Sequence, residues 1–557
     1  MSRKDKKVTW LTRLGYGSGN LVGSGALAIS NAWLVIFYTQ YAGLSMPEAT
    51  LIYSSALLVD TFLNPFCGFI TDAFNNTWLG RTFGRRRFFI LLAIPVLGLL
   101  NPMMWVVVPN GFAYYFLVYI LYNAMYTMVM IPYDALPAEM TEDYDERTYL
   151  AGLRASIGKV AGFLTAALPG VFFLVFGNDN PQAFFIMGCA FGVLMAAAML
   201  FVYLTTWERP VDESTMERVE SPIEGVKKMF VDLGSTLRIK TFRHLLGMYL
   251  FGFGAEWLFT STFSYFVLYC LMLPKANASA WSSMSSILQL VSTLAVMGVV
   301  AKKGFRKPYM VAEGVVIVAT LAYVLAVVGG VDASTTAGFI AITSIVVVFG
   351  LGTGAVYYIP WQAYLFVADV DEVVTGRRRE GNFSAAMHFC GKLINSAVVA
   401  ILGMVLSVAG YVSGTSGDVT QPATVSTAIL GVLIVGVCGL SLLGMVSAKL
   451  MKLDRDTDKI VQREAKRVLQ EGGRMEDVDP EVKRVCEQLS GVQYELCFGH
   501  NTVGYHTPEE LKRIREEMPA RMAMSFGAAK GEPGQFLDEQ FQGDAMDQLE
   551  PSTKKAV

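Results

Sequence analysis

Apolar residues run along the chain in long blocks broken by short polar connections. Twelve blocks are long enough for a helix to cross a bilayer at roughly 20 residues per span. They fall at approximately 17–41, 48–71, 87–108, 111–133, 153–176, 182–206, 243–271, 279–300, 308–329, 335–360, 383–408 and 424–448. Three stretches, Phe88–Glu146, Pro308–Gly376 and Leu393–Ala448, contain no Lys or Arg. Gly and Pro occur inside many blocks, which membrane helices tolerate because neighbouring helices re-satisfy the backbone. The pattern turns charged over 207–242 and hydrophilic after Ala448. It predicts an all-α membrane protein: a six-helix bundle over 1–206, a cytoplasmic linker over 207–242, a second six-helix bundle over 243–448, and a cytoplasmic tail over 449–557. Within the tail Lys449–Gly472, Asp477–Leu489 and Thr507–Glu517 read as helical, and Gly527 onward as disordered.

Composition agrees with this pattern. Of 557 residues, 53% are hydrophobic and 17% charged, against about 25% charged in soluble chains, and the mean hydropathy is +0.43. A formal net charge of −2 argues against a nucleic-acid partner, which needs a basic surface. Basic residues sit on alternate connections only: Arg81, Arg85 to Arg87, Arg147, the linker, Lys302-Lys303, Arg306-Lys307 and Arg377 to Arg379 on one side, and Lys275 alone on the other. Since Lys/Arg-rich loops stay in the cytoplasm, both termini are expected inside. The basic start is not followed by a short apolar core with a small-residue cleavage site, so no cleaved signal peptide is expected. The seven cysteines are scattered, without the paired spacing of a disulfide framework. Cys486, Cys497, His500 and His506 match zinc spacing only weakly, and we expect no metal site.

Ionisable residues inside apolar helices are costly and mark function by default. The blocks hold Asp60, Asp134, Arg154, Lys159, Glu256, His388 and Lys392, with Arg243 and Glu313 set aside as lying near cytoplasmic helix ends. Aromatic faces suit sugar rings, and Trp257 and Trp361 are the candidates among many aromatics. The halves echo each other: Pro132, Ala135 and Asp143 each find the same residue 228 positions on, at Pro360, Ala363 and Asp371, as in transporters built from repeats around a midplane site.

The run from Asp60 through Asn64, Pro65 and Gly68 to Asp72, ending in Gly84-Arg85-Arg86-Arg87, resembles the helix 2–3 signature of the glycoside-pentoside-hexuronide:cation symporter family, the melibiose permease-like branch of the major facilitator superfamily. The loop Asp371 to Gly381 resembles its helix 10–11 signature, and Tyr16-Gly17 through Gly43-Leu44-Ser45 its first helix. The resemblance covers roughly residues 10–448. It implies the major facilitator fold and cation-coupled transport, with Asp60 as the first carboxylate of the cation site, Thr127 as its helix-4 hydroxyl, Lys392 beside it and Arg154 as a sugar-binding residue. Gly68, Asp72, Arg85, Arg86 and Arg87, with Asp371, Arg377, Arg378 and Arg379, are expected to form gating networks on the cytoplasmic side.

Departures from the family pattern narrow the expectation. Two further carboxylates of sodium-coupled members fall here on Asn64 and Met130. A hard cation wants several oxygens, some anionic, so the coupling ion is expected to be a proton, with sodium as the alternative. The galactoside-site acid falls on Ser24 and the sugar-packing Trp on Asp134, which disfavours a galactoside. We therefore expect a secondary transporter, not an enzyme, moving a glycoside, uronide or related small polar solute by alternating access, with Asp134, Arg154, Glu256, Trp257, Trp361 and His388 on the substrate. A lysolipid or other amphiphile is the alternative cargo, and a membrane receptor or membrane enzyme the alternative class. The excess of Arg154, Lys159 and Lys392 over Asp60 and Glu256 favours an anion. A monomer in a bacterial inner (cytoplasmic) membrane, without cofactor and with a tail open to a cytoplasmic partner, completes the expectation.

Overall fold

The computed structural model describes residues 8–74, 77–141, 144–177, 179–208, 230–377, 379–414, 420–503, 509, 512–514 and 516. Among them the chain is all-helical, with no strand. In order, α1 spans Trp10–Gln40, α2 Met46–Ala73, α3 Arg87–Met103, α4 Phe112–Met140, α5 Tyr144–Phe176 and α6 Pro181–Thr205. They are followed by α7 Lys240–Tyr269, α8 Lys275–Lys303, α9 Arg306–Val328, α10 Thr336–Thr375, α11 Glu380–Val408 and α12 Ala423–Leu450. Nine helices among the described residues are long and apolar enough to cross a membrane. The exceptions are α2, α7 and α3, the last only 17 residues long.

Local chemistry sets several of these boundaries. Ser45 caps α2 in a capping box: its hydroxyl accepts from the Glu48 amide (3.4 Å) while the Glu48 carboxylate accepts from the Ser45 amide (2.8 Å), satisfying donors that a helix start leaves open. Gly84 ends the short helix Trp78–Phe83 at φ +97°, a conformation that favours glycine. A side chain there would also strike the carboxylate of Glu208. In α1 the turn Ser30–Leu34 is π-helical, a local widening often found at functional sites.

Large apolar side chains face outward on many helices, with Leu174 74%, Val435 76% and Val408 90% exposed. In water such surfaces associate; against lipid tails they are at home. Inside, Trp33, Phe37, Trp105, Phe173 and Phe184 make one aromatic cluster, and Phe259, Phe263, Tyr323 and Phe349 another.

The described residues pack as two compact units. One takes in those of Met1–Phe230, His244–Ala363 and Ser384–Met451; the second those of Val231–Arg243, Tyr364–Phe383 and Lys452–Val557. Within the second unit, tail helices α13 (Arg455–Leu469) and α14 (Pro480–Ser490) are tied in by backbone pairing. The Phe498 amide donates to the Val373 carbonyl (2.7 Å), Asn501 to the Val374 carbonyl (2.7 Å), and Thr241 to the Leu489 carbonyl (2.6 Å). Burial pushes the Cys486 thiol up to about 12, and no cluster able to hold a metal occurs among the described residues. Most of Thr507–Glu517, and everything from Gly527 onward, lie outside the described residues, as does His506.

Candidate transport site

A cavity of about 470 Å³ lies within the first unit. The π-helical turn of α1 brings Asn31 and Trp33 to it. From α7 come Tyr249, Glu256 and Trp257; from α8 a row of hydroxyls ending in Gln289; from α11 His388, Lys392 and Asn395. Ser279, Ser282, Ser286 and Gln289 recur at helical spacing, which puts them on one face of α8. That spacing is the available signal in the sequence, but small hydroxyl residues are common in membrane helices and it does not stand out. Asn31 is held in place by two donors, Tyr53 (3.3 Å) and Ser261 (3.0 Å).

Asp60 sits at the cavity edge, 1% exposed. One carboxylate oxygen accepts the Thr127 hydroxyl of α4, and the other lies 2.5 Å from the Lys392 ammonium of α11. Three residues far apart in sequence thus meet, Asp60 and Thr127 before the charged linker and Lys392 after it. The same α2–α11 seam continues in a reciprocal pair, in which the Ser54 hydroxyl donates to the Ser396 carbonyl (3.0 Å) and the Ser396 hydroxyl to the Ser54 carbonyl (2.9 Å). Asn64 lies on α2 and is partly buried.

The substrate candidates divide. Glu256, Trp257 and His388 line the cavity. Trp361 packs on the His388 ring (4.8 Å) and the Tyr249 ring (5.5 Å), behind the lining. Arg154 and Asp134 pair with each other at 2.5 Å, with the guanidinium over the Tyr133 ring at 5.0 Å, and neither belongs to the lining. Glu256 accepts from Gln289 (3.2 Å) through one oxygen, while the other completes no hydrogen bond among the described residues. Glu313, set aside in the sequence as near a helix end, is only 1% exposed.

At the end of the non-basic connections, a polar network links residues before the linker to residues after it. Gln40 donates to the Tyr269 hydroxyl (2.6 Å), which meets the Tyr411 hydroxyl (3.1 Å). The Lys275 ammonium reaches the Tyr41 hydroxyl (2.8 Å) and Asp179 (3.2 Å). Among the gating candidates, Arg85 and Arg86 pair with Glu139 at 2.8 and 2.7 Å. The Arg86 and Arg87 amides donate to the Glu208 carboxylate at 3.0 and 3.3 Å, and the Arg87 side chain donates to the Tyr203 carbonyl (2.7 Å). Glu139 and Glu208 went unassigned in the sequence. Within the second unit Arg379 binds both oxygens of Asp371, at 2.9 and 2.7 Å, and Arg377 takes part in the turn at Thr375. Gly68 and Asp72 fall on α2, but the surroundings of Gly68 and the Asp72 side chain lie outside what the structure describes, as does Arg378.

Long apolar helices enclosing an aromatic and hydroxyl-lined cavity, with an ion pair crossing between the two halves of the chain, make up the architecture of a membrane transporter. The sequence matches the MFS/sugar transport protein family over residues 15–455. The chain is similar to the glucuronide carrier protein homolog of Escherichia coli (strain K12), at 22% identity over 79% of this chain and 92% of that protein. To the isoprimeverose transporter of Lactiplantibacillus pentosus it is 25% identical, over 80% of this chain and 90% of that one. The crystal structure of the nucleoside transporter NupG shares its fold, with a TM-score of 0.55 at 14% identity over 80% of this chain and 100% of that chain. The chain belongs to the MFS/sugar transport protein family and is a transporter, not an enzyme.

Proposed function

We infer that this protein is a proton-coupled symporter that carries a neutral, polyhydroxylated glycoside by alternating access. The observation that carries this reading is the Asp60–Lys392 pair at the cavity edge, completed by Thr127. Lys392 already neutralises the one carboxylate there, so a sodium ion would find no net negative charge and few oxygens. A proton on Asp60, by contrast, needs no ring of oxygen ligands, and it loosens the ion pair that ties α2 to α11. The serines of α8, Asn31, Asn395 and Gln289 supply donors and acceptors, and the surrounding rings supply flat apolar faces, the usual composition of a small-molecule site.

The charge balance in the sequence favours an anion, but Arg154 is paired with Asp134 and Lys392 with Asp60. Two of the three cations counted there are compensated before a solute arrives, and the third, Lys159, is not part of the cavity lining; this is our reason for preferring a neutral glycoside over a uronide.

In this reading α2, α3 and α7 also cross the bilayer, giving twelve spans with both termini in the cytoplasm of a bacterium and the protein in its inner membrane as a monomer. Asp134, Arg154 and Trp361 orient the walls, and the Arg85–Arg87 and Asp371–Arg379 clusters act at the cytoplasmic gate. The Lys275 network then closes the outer end.

Proteoliposomes loaded at alkaline pH and diluted into acidic buffer test the proposal. Isoprimeverose or a related neutral glycoside should accumulate, sodium should have no effect at fixed pH, and Asp60→Asn should abolish accumulation while leaving exchange. Accumulation that follows sodium and ignores the pH gradient, or uptake of lysophospholipid but of no glycoside, would overturn it.

A further inference from the structure

The carboxyl of Glu313 on α9 is buried among α7, α10 and α12, and neither oxygen completes a hydrogen bond among the described residues. Two glycines leave it room. A Cβ on Gly252 of α7 would stand 2.7 Å from Glu313 Oε1, and one on Gly444 of α12 would stand 3.2 Å from it. The hydroxyls of Tyr309 and Ser441 face the carboxyl. Tyr309 spends its proton on the Met248 carbonyl (2.7 Å), and the fully buried Ser441 hydroxyl completes no hydrogen bond either. Val356 of α10 lies beside the same Gly252 position, 2.9 Å from where its Cβ would be. Burying an isolated carboxylate is prohibitively costly unless a proton or a cation joins it, and a single carboxyl with one or two hydroxyls falls short of what a hard cation demands.

Glu256 stands four residues beyond Gly252 on α7. Residues i and i+4 share a helix face, with Cβ atoms about 5–6 Å apart. The slot that admits Glu313 is therefore about one turn from a second carboxyl, one that lines the cavity and has an unpartnered oxygen. Gln289 of α8 donates to Glu256, and Tyr357 of α10, Tyr249 of its own helix, and His388 and Lys392 of α11 line the same cavity.

We propose that Glu256 and Glu313 form a second proton-binding site, separate from Asp60, in which Glu256 exchanges protons with the cavity and Glu313 holds one in the helix interior. Movement between them is a plain proton transfer: the O–H bond on Glu256 breaks, one forms on Glu313, and the negative charge passes to Glu256. The site deepens the proposed proton coupling and rests on it for its place in the transport cycle. It adds a second proton-carrying position to each cycle.

The test is infrared difference spectroscopy of the purified full-length protein between acidic and alkaline pH, which reads protonated carboxyls directly and needs no transported solute. Glu313→Gln and Glu256→Gln, each close in shape to the protonated acid, should each remove one protonated-carboxyl band, and Asp60→Asn should leave both in place. Should Glu313→Gln fail to fold, Ser441→Ala, which deletes the hydroxyl facing the carboxyl, should shift the Glu313 band. A Glu313→Gln spectrum identical to wild type, a band unmoved by Ser441→Ala, or a band removed by sodium at constant pH would overturn the proposal. Uptake that ignores the pH gradient would sink the proposed coupling while leaving the infrared bands in place, so the two failures are separable.

Discussion

Neutralising Lys392 should cost more stability than neutralising its partner, because the two ends of the pair are buried unequally. The Asp60 side chain is 2% exposed and the Lys392 side chain 24%. Lys392→Met keeps an apolar stem along the cavity wall but leaves Asp60 with the Thr127 hydroxyl alone. Breaking a buried pair in this way costs about 3–5 kcal/mol. Asp60→Asn retains an acceptor for Thr127 and leaves a cation that can turn into the cavity, so a loss of about 1–2 kcal/mol, the scale of a disrupted hydrogen bond, is expected. The double variant Asp60→Asn/Lys392→Met carries no stranded charge and should be more stable than Lys392→Met alone, a non-additivity of about 2–3 kcal/mol between contacting residues. Thermal unfolding midpoints of detergent-purified proteins, followed by tryptophan fluorescence, give the order directly: wild type highest, Lys392→Met lowest, the double variant between. A double variant that unfolds below both single variants, or a Lys392→Met midpoint equal to wild type, would refute the pairing as a source of stability.

The outer network makes a kinetic prediction. Lys275→Ala should raise the outward-open population about fivefold if the Tyr41 and Asp179 contacts contribute about 1 kcal/mol, read as faster labelling of a cavity-lining Ser282→Cys thiol by an impermeant reagent; an unchanged rate would remove Lys275 from the gate. Because Arg154 is compensated by Asp134, Arg154→Gln should weaken uptake of neutral and anionic analogues to the same degree, whereas a selective loss of the anion would restore it as a substrate-binding cation. In the second unit, burial and then the neighbouring Asp369 push the Asp458 carboxyl up to about 7 from 3.8, and Gln462 donates to both carboxylates at 2.9 Å. A raised acid favours the folded form while it keeps its proton, so this contribution is complete below the ordinary carboxylate range and is lost as the pH rises through about 7. Protection factors over 455–469, taken against the intrinsic exchange rate at each pH, should be higher at pH 6 than at pH 8, and Asp458→Asn should flatten that difference.

The helices of this protein are written in its hydropathy, because a segment that must satisfy every backbone group internally and face lipid tolerates few polar side chains. The sixth, eighth and ninth apolar blocks can be read to within a few residues of α6, α8 and α9 for that reason. Asp60 and Lys392 stand out equally well, since a charge in an apolar run is conspicuous. Their partners do not. That Lys392 meets Asp60, and that Arg154 turns to Asp134 and stays out of the cavity lining, depends on how helices distant in sequence are rotated and set against each other. No local pattern encodes that choice. Glu313 shows the same limit from the other side: distance from a helix end places it near the cytoplasm, but only the close approach that Gly252 and Gly444 permit brings α7 and α12 against α9 and seals the carboxyl away from water. Sequence determined which segments are apolar helices and which of their residues would be costly in a membrane. The tertiary packing decided which of those charges are neutralised and which hydroxyls of α8 line the cavity, because burial and pairing belong to contacts between helices.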